Sequence, residues 1–534
     1  MGVDVDSAKK MEFNIFAMLI RYVSIVCILS HYQQAYAFNV TIRPLISMEE
    51  IYSDNINLSK SGKEKSAFVS EVSPGVSIIG RSALSTLNLN YRMQNLYNAG
   101  GKNSLNTNNQ LQYNSHNTFV QNRLFLDSHS SISQQNTSNT QIAIDNISGT
   151  GNKTNVSTFG MSPYWTPRFG NYANGNLRLN FDTVTTDSSS SNNSNSSLNA
   201  LSDTVNIAEI IQLNSGTEFK RVNWNLSHNN TENYRSGGDN VKFQNSNAMV
   251  RTYLNRYFNI FAKGGYSNNS YQTTTNTNNN GLFYTFGGQW NPSQYYSIEA
   301  GGGNNSYVTV NISPMQRLSW NTTFRKNAIG LNSGKTWQTA LHYRTRQSTW
   351  ALTHDNDTTT VQEILLQQQV FPSQYVSTGN SISSLDPNTI SSLDPNNRLS
   401  SLPTLTNDVI VSKTWNFSTS FNTGKSTIGA SAFNTDRVYQ LSGIDEKVSG
   451  LSGSWNWQFA SRTSAYIRPL WQQTTGSGIT NTKSDRYDFS IGINRSITNR
   501  VNGKLELRHI DQMSDINTND YQENRATASL FMRY

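Results

Sequence analysis

The stretch Leu87-Asn88-Leu89-Asn90-Tyr91-Arg92-Met93-Gln94 puts an apolar side chain at every second position and a polar one in each gap. A period of two sends successive side chains to opposite faces of an extended chain, so this segment reads as a strand with one apolar face and one wet face. The pattern repeats around Leu177, Leu179 and Phe181, around Val222, Trp224 and Leu226, and around Trp337, Thr339, Leu341 and Tyr343. It returns near the C-terminus at Tyr487, Phe489, Ile491 and Ile493, and again at Val501, Leu505 and Leu507. These segments run to roughly 10–14 residues, longer than the five or six of an ordinary globular strand and suited to a tilted crossing of a bilayer.

Composition points the same way. Of 534 residues, 35% are hydrophobic and 14% charged, against about 45–50% and about 25% in a typical soluble domain. Low hydrophobicity suggests disorder, but disordered chains are poor in aromatics, and this one has 25 Tyr, 23 Phe and 10 Trp. Beyond the N-terminus no run of roughly 20 apolar residues exists, which excludes a helical membrane protein. A single Cys excludes a disulfide scaffold and a cysteine-ligated metal site.

The N-terminus supplies the compartment. Lys9 and Lys10 precede an apolar stretch from Phe13 to Leu29, and Ala35-Tyr36-Ala37 has the small-x-small pattern of a cleavage site. Residues 1–37 read as a secretory signal peptide cleaved before Phe38, carrying Cys27 away with it. The mature chain is then 38–534, with an expected location in the outer membrane of a Gram-negative bacterium after Sec-type export.

Connections between the strands alternate long and short, as they do in outer-membrane barrels, whose periplasmic turns are tight and whose extracellular loops are longer. Read back from Tyr534, Ser514 to Asp520 is long, Thr498 to Arg500 short, Thr475 to Lys483 long, Ser461 to Thr463 short, Leu441 to Glu446 long and Asn422 to Lys425 short. Thr273 to Asn280, Thr231 to Asn240 and Asp187 to Asn199 are further long connections, and Pro292 to Tyr295 a short one. The sequence therefore specifies an all-β, transmembrane antiparallel β-barrel of about 24 strands, with 18 to 24 meeting the even-number rule and both termini in the periplasm. The count is least determined between Gly301 and Lys326, where Gly303 to Ser306 reads either as a connection or as a bulge in one long strand.

The rhythm breaks between residues 358 and 408, which contain Glu363-Ile364-Leu365-Leu366 and a tandem octapeptide, ISSLDPNT (Ile382 to Thr389) then ISSLDPNN (Ile390 to Asn397). Parity puts this insertion on the extracellular side, either extending outward or folded into the lumen as a constriction. The near-identical repeats, which have the look of slippage, favour the first. At the other end Tyr534, Met532 and Leu530 share a face with Ala528 and Ala526. An amphipathic strand ending on an aromatic resembles the C-terminal signal presented to the barrel-assembly machinery, an expected partner alongside outer-membrane lipid.

Motifs for cofactor chemistry are absent: there is no CxxCH, no GxxxxGK[ST], no HExxH, and the seven His are scattered in strands, loops and the leader. No catalytic residue, cofactor or metal site is assigned, and an enzyme is the least favoured class. With apolar residues outside, the alternate positions line the lumen. Arg92, Arg178, Arg221, Arg344, Arg346, Arg468, Arg486, Arg508 and Arg533 fall there, against fewer carboxylates such as Asp127, Asp182, Asp488 and Glu506. The formal charge of +8 belongs to the mature barrel, because Lys9, Lys10 and Arg21 cancel Asp4, Asp6 and Glu12. Basic rings in a pore select anions; arginines that neutralise lumen carboxylates are the competing reading. Cations spread over so many strands do not make a nucleic-acid surface.

Several short motifs, YSDNI (Tyr52 to Ile56), SEVSPGVSIIG (Ser70 to Gly80), WNPSQYYS (Trp290 to Ser297), RTRQSTW (Arg344 to Trp350) and DRVYQ (Asp436 to Gln440), together make the chain resemble the PEP-CTERM system-associated outer-membrane β-barrel family. That resemblance, which extends over nearly all the mature chain, implies a porin-like barrel linked to exopolysaccharide biosynthesis and export, with polysaccharide-export components as partners. It carries no catalytic residues. The expected function is passage of exopolysaccharide or anionic solutes, with a general diffusion porin, a barrel sheath for an electron-transfer partner and a surface adhesin as alternatives.

Overall fold

Each alternating segment is a strand that pairs antiparallel with its neighbours in the chain. The computed structural model describes residues 38–534 except 100–103, 138–141, 144, 188–200, 275–278, 332, 369, 371–402, 478–481 and 517–518. The signal-peptide segment and the tandem octapeptide lie outside the described residues. The first strand, Asn39–Ser53, pairs on one side with Ala67–Arg81 and on the other with the last strand, Tyr521–Arg533, in a register running from Leu45 opposite Arg533 to Ser53 opposite Arg525. That pairing closes the sheet on itself and removes its edges. Among the described residues twenty-four strands form the wall, and a two-residue strand, Arg168–Phe169, sits in one of the turns.

Chain direction fixes which end is which. Turns at 82–84, 294–295, 345–347, 423–425 and 461–462 lie at the end that holds both termini, and residues 54–66, 145–152, 201–203, 361–368 and 403–408 lie at the other. One expectation needs correction, and one alternative is settled. The strand Val222–Arg235 continues through the Asn- and Thr-rich stretch read as a long loop from Thr231, because its polar residues keep the ladder with Val241–Tyr253 intact. Between Gly301 and Lys326 there is no single bulged strand. Tyr296–Gly303 and Asn305–Met315 are separate strands that reverse on Asn304, whose side chain accepts from Tyr284 N at 2.7 Å and donates to Leu282 O at 2.9 Å. A Cβ on Gly303 would sit 2.0 Å from Tyr284 O, so so tight a reversal needs glycine there.

The wall is inverted relative to a soluble protein. Large apolar side chains such as Ile42, Leu282, Phe286 and Leu505 are exposed on the outside, whereas Glu71, Ser73, Asp488, Glu523 and Arg525 are buried on the inside. No helix among the described residues is long and apolar enough to cross a membrane; the crossing is made by strands. Trp290, Tyr295, Tyr296, Trp455 and Trp457 are exposed near the end that carries the tight turns, where an aromatic girdle meets the interface.

Candidate functional site: the lumen and its mouth

Long loops of a barrel ordinarily stand in water, but several here carry apolar residues and fold inward. Segment 142–149 is held by a buried charge network. Arg525 donates to Ser148 Oγ at 2.7 Å and to Glu523 Oε1 at 3.1 Å, and also pairs with Asp145. Ser53 Oγ donates to the same Glu523 oxygen at 2.6 Å. Asn146 donates to Gln94 at 2.8 Å and to Gln134 at 3.1 Å, while Tyr521 donates to Ile142 O at 3.2 Å. Ile56 and Leu58 of the first loop pack into the same region, against Ile51, Val69, Ile510 and Tyr521. Burial alone would raise the Asp145 carboxyl, but Arg525, Arg508 and Lys153 override it and hold it well below the usual carboxylate range.

The insertion enters the lumen by different means. Thr360 closes the start of a six-residue helix, Val361–Leu366, with a capping box: Glu363 N donates to Thr360 Oγ1 at 3.3 Å and Thr360 N donates to Glu363 Oε2 at 3.1 Å. A helix this short is not stable by itself. Its stability comes from Val361 and Leu365, which pack with Leu405 onto Val156, Val184, Ile410 and Tyr439. Thus residues 361–368 and 403–408 fold into the lumen rather than extending outward, because their apolar side chains meet an apolar shelf at the top of the wall. Burial raises the Glu363 and Asp408 carboxyls. The insertion touches the 137–152 connection where Leu405 N donates to Thr137 O at 3.2 Å, and two further extracellular connections meet where Thr274 N donates to Gln440 O at 2.8 Å.

Below this mouth, the inner wall holds a cleft of about 480 Å³ lined by Lys263, Glu299, Tyr307, Arg325, Asn245 and Asn305, among others. Glu299 is bridged by Arg251 at 2.7 Å and accepts from the Tyr307 hydroxyl at 2.6 Å. Phe261 stacks on Tyr307 with ring centres 5.9 Å apart, and Arg251 lies 5.3 Å over the Phe261 ring. Lys263 lies 5.9 Å over the Phe283 ring, and Arg325 donates to Gln338. With Glu299 already bridged by Arg251, Lys263 and Arg325 give the cleft a positive surplus.

The arginines singled out from the sequence divide into three groups. Arg486 and Arg508 flank Asp488 at 3.1 and 2.6 Å, Arg178 pairs with Asp127, and Arg92 lies 3.9 Å from Glu71. Arg468 covers the Tyr466 ring at 4.4 Å. Arg221 and Arg346 sit in turns, and Arg344 and Arg533 end their strands, so these four gather at the end that carries the termini. Tyr534, Met532 and Leu530 face outward, and Tyr534 N prolongs the closing ladder by donating to Pro44 O at 3.0 Å. Sequence reasoning missed Lys263, Arg251 and Arg325. Lys263 occupies a gap in the alternation of Phe258, Ile260 and Ala262, a readable signal, but Arg325 lies in the stretch whose strand parity was ambiguous.

No family model matches the chain, and no curated protein matches it. Among solved structures it is similar to the FrpB iron transporter from Neisseria meningitidis, 10% identical over 92% of this chain and 82% of that chain, with a TM-score of 0.44. It is also similar to the siderophore receptor PirA from Pseudomonas aeruginosa, 9% identical over 92% and 80%, TM-score 0.39. A third is a loop-deletion mutant of OmpT, an outer membrane protein of Vibrio cholerae, 8% identical over 93% and 100%, TM-score 0.31. Likeness at this level does not bear on what passes through the barrel.

Proposed function

We propose that this protein is an outer-membrane channel for hydrophilic anionic solutes, with acidic exopolysaccharide as the substrate class and inward loops setting the width of the extracellular mouth. The reading rests chiefly on the inner-wall cleft, where Lys263 and Arg325 stand beside the Tyr307 ring, which is backed by the buried Phe261. Aromatic faces accept the apolar face of a sugar ring, while a few placed cations and amides bind its carboxylates and hydroxyls. The resemblance to exopolysaccharide-associated barrels supports the same substrate class.

Liposomes containing the purified full-length barrel and loaded with oligosaccharides of equal length, one neutral and one of uronic acids, test it directly. The uronate is expected to leave faster, and Lys263→Glu with Arg325→Glu is expected to reverse the order. Equal efflux of both sugars, unchanged in the double variant, is the behaviour of a general diffusion porin and would overturn the proposal.

A further inference from the structure

The outer wall is of uneven height. Four consecutive strands, Tyr296–Gly303, Asn305–Met315, Leu318–Asn327 and Gly334–Arg344, have 8, 11, 10 and 11 residues, whereas Ser104–Val120 has 17. A tilted strand of roughly 9–11 residues just spans the hydrocarbon core. The extracellular ends of these strands therefore lie at the level of the lipid headgroups, where longer strands project beyond it.

On this low rim Lys326 and Lys335 are direct cross-strand partners, both exposed and both on the outward face shared by Phe324 and Trp337. Lys413, opposite Asn356 two strands on, is also exposed and outward, on the face of Trp415. Phe324, Trp337 and His354 floor a cleft of about 590 Å³ with the three lysines at its edge. The floor is a packed ring cluster: Phe324 stacks on Trp337 at 5.2 Å, and His354 packs against Trp337 at 5.3 Å and Trp415 at 4.3 Å. His354 is 8% exposed although it belongs to the outward face, and its Nδ1 lies 3.2 Å from Thr414 O.

Other outward lysines are paired with carboxylates, Lys242 with Glu232 at 2.8 Å, Lys483 with Asp485 at 3.2 Å and Lys447 with Asp436 at 3.9 Å. Asp436 stands opposite Lys413 in the ladder and is shared with Lys447, so the cleft keeps a net positive charge. A lipid-facing aromatic floor under a cluster of cations matches an amphiphile with an anionic head.

We propose that this cleft binds a phosphorylated glycolipid of the outer leaflet, its phosphates held by Lys326, Lys335 and Lys413 and its apolar part lying along Phe324 and Trp337. The inference requires the membrane-spanning fold and is independent of what the lumen transports. Native mass spectrometry of the full-length barrel in detergent, titrated with bisphosphorylated lipid A or with phosphatidylethanolamine, tests it. The barrel is expected to retain lipid A in preference, and Lys326→Ala/Lys335→Ala/Lys413→Ala to weaken retention about tenfold. Lys242→Ala/Lys483→Ala should leave retention unchanged, and arginine at the three cleft positions should preserve it, which separates loss of charge from loss of fold. Retention of lipid A equal to that of phosphatidylethanolamine, an equal loss in the control double and the cleft triple, or displacement of lipid A by equimolar inorganic phosphate would overturn the assignment.

Discussion

Segments 142–149 and 361–366 both leave the extracellular rim and turn back into the lumen, yet they are held by opposite chemistry. The first is fastened by charge, with Arg525 shared among Asp145, Glu523 and Ser148. The second is fastened by apolar contact, with Val361 and Leu365 on a shelf of Val156, Val184 and Ile410. A barrel interior is polar by default, so an apolar shelf near its mouth marks where a loop is meant to sit. A buried cation with several acceptors marks a loop held in one geometry. The difference predicts that the segments release under different conditions, and four perturbations separate them.

Arg525→Ala should have the largest effect, because it leaves Glu523 and Asp145 without their cation in a buried site. Breaking such a network costs about 3–5 kcal/mol. Hydrogen exchange across 142–149 should rise steeply and the open-channel current should grow, with exchange across 361–366 little changed. Leu365→Ala should do the reverse at a smaller cost, about 2 kcal/mol, since a short helix can settle partway into the vacated space. Its signature is faster exchange across 361–366 with the charged segment intact.

Acidity should move the two in opposite senses. Burial raises the Glu363 carboxyl in the docked insertion, so the docked state binds that proton more tightly than the released state. Docking therefore strengthens as pH falls from the raised value toward the ordinary carboxylate pKa, and that gain is lost as pH rises back through the raised value. Asp145 is held low, so its contribution is complete above the ordinary carboxylate pKa and is lost only as pH falls below it. Between neutral and mildly acid pH, exchange should slow across 361–366 and stay constant across 142–149. Loosening of both over that interval would contradict the assignment. The smallest effect is that of Thr360→Ala, which removes the helix cap at a cost of about 1 kcal/mol and should shift exchange across 361–366 alone.

The barrel itself was legible in the sequence. Alternation such as Leu87 to Gln94 depends only on which side of the wall each residue faces, and that is a local property of the strand Ser85–Asn98. The mouth was less legible because its partners are joined by closure of the barrel. Arg525 and Asp145 are 380 positions apart, and nothing in the spacing of either announces the other. A signal did exist in the loops: Ile56, Leu58, Ile142 and Leu365 are apolar residues in segments that should be wet, and all four are buried. The lumen arginines could be placed on the inner face by parity, but parity does not reveal that Asp488 draws Arg486 and Arg508 together, or that Asp127 takes Arg178. These pairs neutralise part of the positive charge locally, and Lys263 and Arg325 add cations that face the passage.

Anion selection by those two side chains is read out by the reversal potential of single channels in a planar bilayer under a KCl gradient. The wild-type barrel should reverse toward the chloride equilibrium potential, and Lys263→Glu/Arg325→Glu should shift it toward potassium. A cation-selective wild-type channel, or a reversal potential that the double variant leaves unmoved, would contradict it.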